Sequence, residues 1–180
     1  EDMFRDYTPR ELAVIKAKYG TEGDVLEAPL LIAQKAKDML RHYVGVVLPE
    51  GYKAQVVATS RRAAVVFRDK LLVARDELVR DLEDLPAATL ALPDQEIERL
   101  DSQTQFLVRA HVLLPLIRAL EAAVVISRDH NDPESWWDWS NKEKQDEYTK
   151  RFKRKLATER TEKTDPLAMM VVNNMLLTGF

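Results

Sequence analysis

The chain has 180 residues, 46% of them hydrophobic and 32% charged, with a formal net charge of −3. That length fits one domain, or one domain with an attached arm, and the apolar content excludes a disordered chain. It contains no cysteine, which excludes disulfides, thiolate nucleophiles and Cys-ligated zinc or iron–sulfur sites.

The mild acidity argues against a strongly basic nucleic-acid coat but leaves room for a local basic edge. No run reaches the roughly 20 apolar residues of a membrane span, so no membrane partner is expected. Glu1-Asp2-Met3-Phe4-Arg5 has neither the basic nor the apolar region of a signal peptide, and a cytoplasmic location is the expectation. The chain opens on Glu1 and stops on Phe180 inside an apolar stretch, so a fragment of a longer protein is expected.

Residues 1–52 read as a helical arm. Thr8-Pro9-Arg10-Glu11 is a capping box with proline at the first helical position, and Gly20 closes that helix. A longer helix is predicted over 28–46, where Ile32, Ala36, Met39, Leu40 and Tyr43 recur at helical spacing until Pro49-Glu50-Gly51 turns the chain. The period then changes. Residues 53–59 are short, apolar and β-branched, which predicts a buried strand. Ser60 is placed to cap a helix ending near Leu82, with Ala63, Ala64, Phe67, Leu71, Ala74 and Leu78 on one face.

Residues 83–103 are irregular and broken by Pro86 and Pro93, with a short strand expected at 88–92. A helix is predicted over 106–120, a second buried strand over 122–127, and a polar loop with three tryptophans up to Trp139. A charged helix over 141–154 and a polar stretch over 157–165 lead to a third buried strand, 167–172. Three apolar strands alternating with helices, and no hairpin signals, predict a helix-rich α/β fold with a parallel sheet covered on both faces. Function in such sheets gathers at the carboxyl ends of the strands. Here those ends are Thr59-Ser60-Arg61-Arg62, Ser127-Arg128-Asp129-His130, and Asn173-Asn174 through Thr178-Gly179.

No complete enzyme site is visible there. The five glycines fit neither a P-loop nor a dinucleotide fingerprint. His42 and His111 lie within predicted helices and read as structural. Asp129, His130 and Asp132 carry metal-ligand chemistry, although a capped polar loop is the simpler reading. Asp81, Glu83 and Asp84 read as solvated charge at a helix end. Arg61 and Arg62, at a strand-to-helix turn beside free backbone N–H groups and two hydroxyls, form an anion site suited to phosphate. Pairing of both arginines with acids of the same layer is an equal alternative. Trp136, Trp137 and Trp139 have the faces to stack on bases, but packing is favoured. The basic run at 150–155 reads as a solvated helix face balanced by the acids before it.

The order of these pieces resembles the second motor lobe of superfamily 2 helicases, with matching segments at 53–62, 124–132, 148–153 and 169–179. Val124-Val125-Ile126-Ser127-Arg128-Asp129-His130-Asn131-Asp132 and Asn174-Met175-Leu176-Leu177-Thr178-Gly179-Phe180 look like the R (motor and nuclease) subunit of type I restriction enzymes, as does Gly51-Tyr52-Lys53-Ala54-Gln55-Val56-Val57. Asn174 departs from the broader helicase pattern, which has Asp there. The resemblance implies an incomplete RecA-like parallel sheet at 53–180, with a helical insertion at about 79–120. It implies a part of an ATP-dependent duplex-DNA translocase, with DNA-backbone contacts from Thr59, Ser60, Arg61 and Thr178, to which the anion-site reading adds Arg62, and with Gly179 at the nucleotide cleft. ATP and Mg would serve the parent protein, not this fragment alone, which is expected to be inactive. The implied partners are duplex DNA, the first motor lobe and nuclease domain of the same parent chain, and the methylation and specificity subunits. Another superfamily 2 DNA or RNA helicase, and a non-catalytic helical scaffold, are the alternatives.

Overall fold

The structure, a computed structural model, describes residues 29–173. The capping box at Thr8, the motif at 174–180 and the two site candidates within it, Thr178 and Gly179, lie outside the described residues.

Helix α1 (Pro29–His42) buries Ile32, Ala36 and Leu40, one residue per turn. Its path continues through a wider π turn at Tyr43–Val47 and a tight 3-10 turn at Leu48–Glu50. Those changes of pitch let Tyr43, Val44 and Leu48 stay buried. Gly51 ends the path with φ 75°, a left-handed conformation that glycine adopts without steric cost, and its N–H donates to the Leu48 carbonyl at 2.9 Å.

Strand β1 (Ala54–Val57) leads into α2 (Arg61–Glu83). Ser60 holds an extended backbone, and its Oγ accepts a hydrogen bond from the Ala63 N–H at 3.1 Å. The buried face of α2 is the predicted one, extended by Leu82. It lies along α1, where Lys37 and Glu77 also form an ion pair at 2.7 Å.

The strand expected at 88–92 is corrected: those residues fall in and just after a single helical turn, α3 (Ala87–Leu90), and α4 (Asp94–Ile97) follows it. Pro86 and Pro93 each take extended backbone immediately before a helical turn, so each proline stands at the start of a short helix, the first of them where a strand was expected. The helix predicted over 106–120 starts earlier and is split into α5 (Ser102–Ala110) and α6 (Leu114–Ala119). Asp101 moves the start, because its carboxylate accepts from the N–H groups of Gln103 and Thr104, both at 3.0 Å. Pro115 explains the split, since it has no N–H to continue the ladder, and the chain tightens to a 3-10 turn at His111–Leu113.

Strand β2 (Glu121–Val125), a short α7 (Trp137–Ser140) and α8 (Lys142–Phe152) come next, the last capped by the Asn141 side chain at 3.1 Å from the Lys144 N–H. Two further strands, β3 (Lys155–Leu156) and β4 (Thr164–Asp165), pair with each other in parallel. They carry no apolar run, and nothing in the sequence suggested them. Strand β5 (Leu167–Val172) matches the predicted third strand.

β1, β5 and β2 form one parallel sheet in the order β1-β5-β2, so the last strand lies in the middle. All six residues of β5 are buried, whereas Val57 on the edge strand β1 is 57% exposed. Val124, Met169 and Val171 belong to the core shared with α1 and α2. Val125, Met170 and Val172 pack on the other side against Tyr148 and Phe152 of α8. At the β2 edge, Arg68 and Arg75 of α2 donate to the carbonyls of Ala122 (3.2 Å) and Leu120 (2.6 Å). The architecture is a helix-rich α/β fold with a small parallel sheet of three strands flanked by helices. Among the described residues no helix is long and apolar enough to cross a membrane.

Candidate nucleic-acid interface

The carboxyl ends of β1 and β5 are tied together. The Ala58 N–H donates to the Val172 carbonyl at 2.8 Å, and the Asn173 side-chain amide donates to the Ala58 carbonyl at 3.0 Å. The turn Thr59-Ser60-Arg61-Arg62 therefore sits beside the exit of the central strand. Thr59 is exposed, and Ser60 accepts the cap bond from Ala63 while its O–H remains a donor. Arg62 is exposed and makes no ion pair among the described residues.

Arg61 is different. Its guanidinium bonds to the Asp132 carboxylate, lies 3.6 Å from Asp129 and stands 6.0 Å from the centre of the Trp136 ring. Its Nε is buried with no hydrogen-bond partner. The two readings of the arginine pair thus divide between them: Arg61 is paired with acids, Arg62 is open to solvent.

The loop after β2 makes this possible. Asp132 accepts from the Asp129 N–H at 2.9 Å, and Asp129 accepts from the Asn131 N–H at 2.9 Å. Together these close a tight turn that presents both carboxylates to Arg61. The Asn131 amide bond is the main reason the Asp129 carboxyl lies below its ordinary range; partial desolvation opposes it, and His130 and Arg61 assist. Arg128, in the same loop, is exposed and without an ion pair among the described residues. Of the tryptophans, Trp136 and Trp139 pack against the core, Trp139 with its ring 5.6 Å from that of Tyr148, while Trp137 is 47% exposed.

A second charged cluster lies at the opposite, amino edge of the sheet. Arg151 is buried, and its Nε and Nη2 each reach a different oxygen of fully buried Asp165 at 3.0 Å, with Glu121 as a further partner. Arg154 and Arg160 stand 3.5 and 3.6 Å from the same carboxylate. Burial pushes the Lys53 ammonium down to about 8, partly offset by Asp165, and its Nζ donates to the Arg151 carbonyl at 3.2 Å. The basic run at 150–155 is therefore not a uniformly solvated face. Arg151 turns inward because Asp165, which β4 carries to the start of β5, offers it a two-point acceptor. That partner is separated from it by a polar stretch with no sequence signal. No family model, curated protein or solved structure matches the chain.

Proposed function

We propose that this chain is part of the second RecA-like lobe of a superfamily 2 DNA motor, of the kind found in the R subunit of type I restriction enzymes, and that its carboxyl edge contacts the backbone of duplex DNA. The observation that carries the reading is the joining of the β1 and β5 exits through Ala58, Val172 and Asn173. It gathers the hydroxyls of Thr59 and Ser60 and the open guanidinium of Arg62 on one rim, at the carboxyl ends of parallel strands. Contacts of this type hold phosphates without reading bases, which suits a motor that has to move over any sequence.

Neither glycine among the described residues, Gly45 and Gly51, lies at a strand-to-helix turn, which supports assigning the phosphate cradle for ATP and Mg to another part of the parent protein. In this reading both are held mainly by a neighbouring lobe, and the chain alone neither hydrolyses ATP nor cuts DNA. Its partners would be the other domains of the parent chain and the methylation and specificity subunits, in the cytoplasm.

The test is fluorescence anisotropy of the 180-residue chain on duplex DNA, single strands and RNA between about 50 and 200 mM salt. Weak, salt-sensitive duplex binding is expected, with Arg62→Ala lowering affinity and reducing the salt slope by about 0.9, the share of one phosphate. Preference for single strands or RNA would move the chain to another helicase class. A second reading, a non-catalytic scaffold, draws on the pairing of Arg61 with acids. Absence of binding, or indifference to Arg62→Ala, would favour it.

A further inference from the structure

We propose that Asp132, assisted by Asp129, sets the DNA affinity of this edge by occupying the Arg61 guanidinium in the place of a phosphate; the inference rests on the reading that duplex DNA binds here. A carboxylate and a phosphate offer an arginine the same kind of oxygen pair, and each excludes the other from a single fork. Two carboxylates surround the Arg61 guanidinium, so a phosphate approaching it meets their repulsion until the acids withdraw, while the open cations Arg62 and Arg128 keep the rim as a whole attractive to DNA.

The buried arginine Arg151 and the half-buried Arg61 differ in how completely their acids satisfy them. Arg151 uses Nε and Nη2 on opposite oxygens of Asp165 and is sealed in. Arg61 leaves its buried Nε without a partner, which is costly, and its side chain retains 23% exposure. Its acids also sit on a loop, not on a strand. The turn bonds between Asp129, Asn131 and Asp132 are local to that loop, so the two carboxylates are built to leave Arg61 together. An incomplete, solvent-reachable pair on a loop is exchangeable, and a phosphate oxygen entering along the guanidinium would also supply an acceptor for Nε.

The test is a cycle of Arg61→Ala, Asp132→Asn and their combination, read by anisotropy on a fluorescent DNA duplex across a salt series. Asn preserves an oxygen to accept the Asp129 N–H, and circular dichroism with thermal unfolding checks the fold. Asp132→Asn is expected to tighten binding about tenfold, the scale of one charge-assisted hydrogen bond, and to steepen the salt slope by about 0.9. Asp129→Asn, whose contact is longer, gives a smaller gain in the same direction. The gain disappears when Arg61→Ala is combined with Asp132→Asn, because the released guanidinium is its source. Binding no tighter in Asp132→Asn, or a gain that survives in the double variant, overturns the proposal. If Arg62→Ala weakens wild-type binding while Asp132→Asn gains nothing, the DNA interface stands and only the Asp132 role fails. If neither wild type nor Asp132→Asn binds duplex, both fail.

Discussion

Arg151 and Asp165 meet in a two-point pair beneath the amino edge of the sheet, Nε to one carboxylate oxygen and Nη2 to the other, both at 3.0 Å, with the Asp165 side chain fully buried. The same carboxylate accepts the Leu167 N–H at 2.9 Å, so it also fixes the first residue of the central strand. Removing Asp165 leaves the buried Arg151 guanidinium with only the partly exposed Glu121 carboxylate as an acid partner. Asp165→Ala is expected to cost about 3–5 kcal/mol in urea unfolding, whereas Asp165→Leu combined with Arg151→Met recovers most of the loss by removing both charges. Equal losses in the single and double variants would show that the pair is not the source.

Acid pH should act through the same carboxylate. Burial by itself would raise the Asp165 carboxyl, but the Arg151 hydrogen bonds, the Leu167 amide and the charges of Arg151 and Arg160 outweigh it and hold the group below its ordinary range. A depressed folded-state acid stabilises the fold above its unfolded value, about 3.9, and this is lost as pH falls through the lower folded value. Urea midpoints are expected to drop below about pH 4 in the wild type, with a shallower acid limb in Asp165→Ala.

Lys53 works in the opposite sense. Burial lowers its folded-state value to about 8, so the charged form is disfavoured in the folded chain. Between that value and the unfolded one of about 10.4 the unfolded chain holds the extra proton, and stability rises with pH. Lys53→Met, which keeps the apolar stem, is expected to raise the unfolding midpoint at neutral pH and to flatten the alkaline rise. A wild-type profile already flat in that interval would refute the assignment.

The position of β5 makes its side chains the most sensitive in the sheet. Met170 is fully buried against Val125, Val172, Tyr148 and Phe152, so Met170→Ala is expected to cost about 2–5 kcal/mol. Val57, on the edge and 57% exposed, should tolerate Thr to within about 0.5 kcal/mol. Chemical denaturation of the two variants, side by side, checks the strand order itself, because reversed sensitivities would contradict β5 at the centre.

Several elements were legible in the residues alone. The inward face of α2, its Ser60 cap and the apolar run of β5 follow from local backbone geometry: 3.6 residues per turn in a helix, two in a strand, and hydrogen bonds made within a few positions. The carboxyl edge at Thr59–Arg62 was likewise legible, because strand direction follows from alternation with helices. Proline misled once, at 88–92, where Pro86 begins a helical turn instead of bounding a strand.

Tertiary structure alone decided the rest. The order β1-β5-β2 brings Ala58 to Asn173 across 115 positions, and Arg61 finds Asp132 across 71. Arg61 and Arg62 are adjacent and chemically identical, yet one is paired and the other open; Arg61 and Arg151, far apart, share a kind of partner. An arginine's environment depends on which loop the packing of distant elements carries to it, and periodicity, being local, holds no record of that.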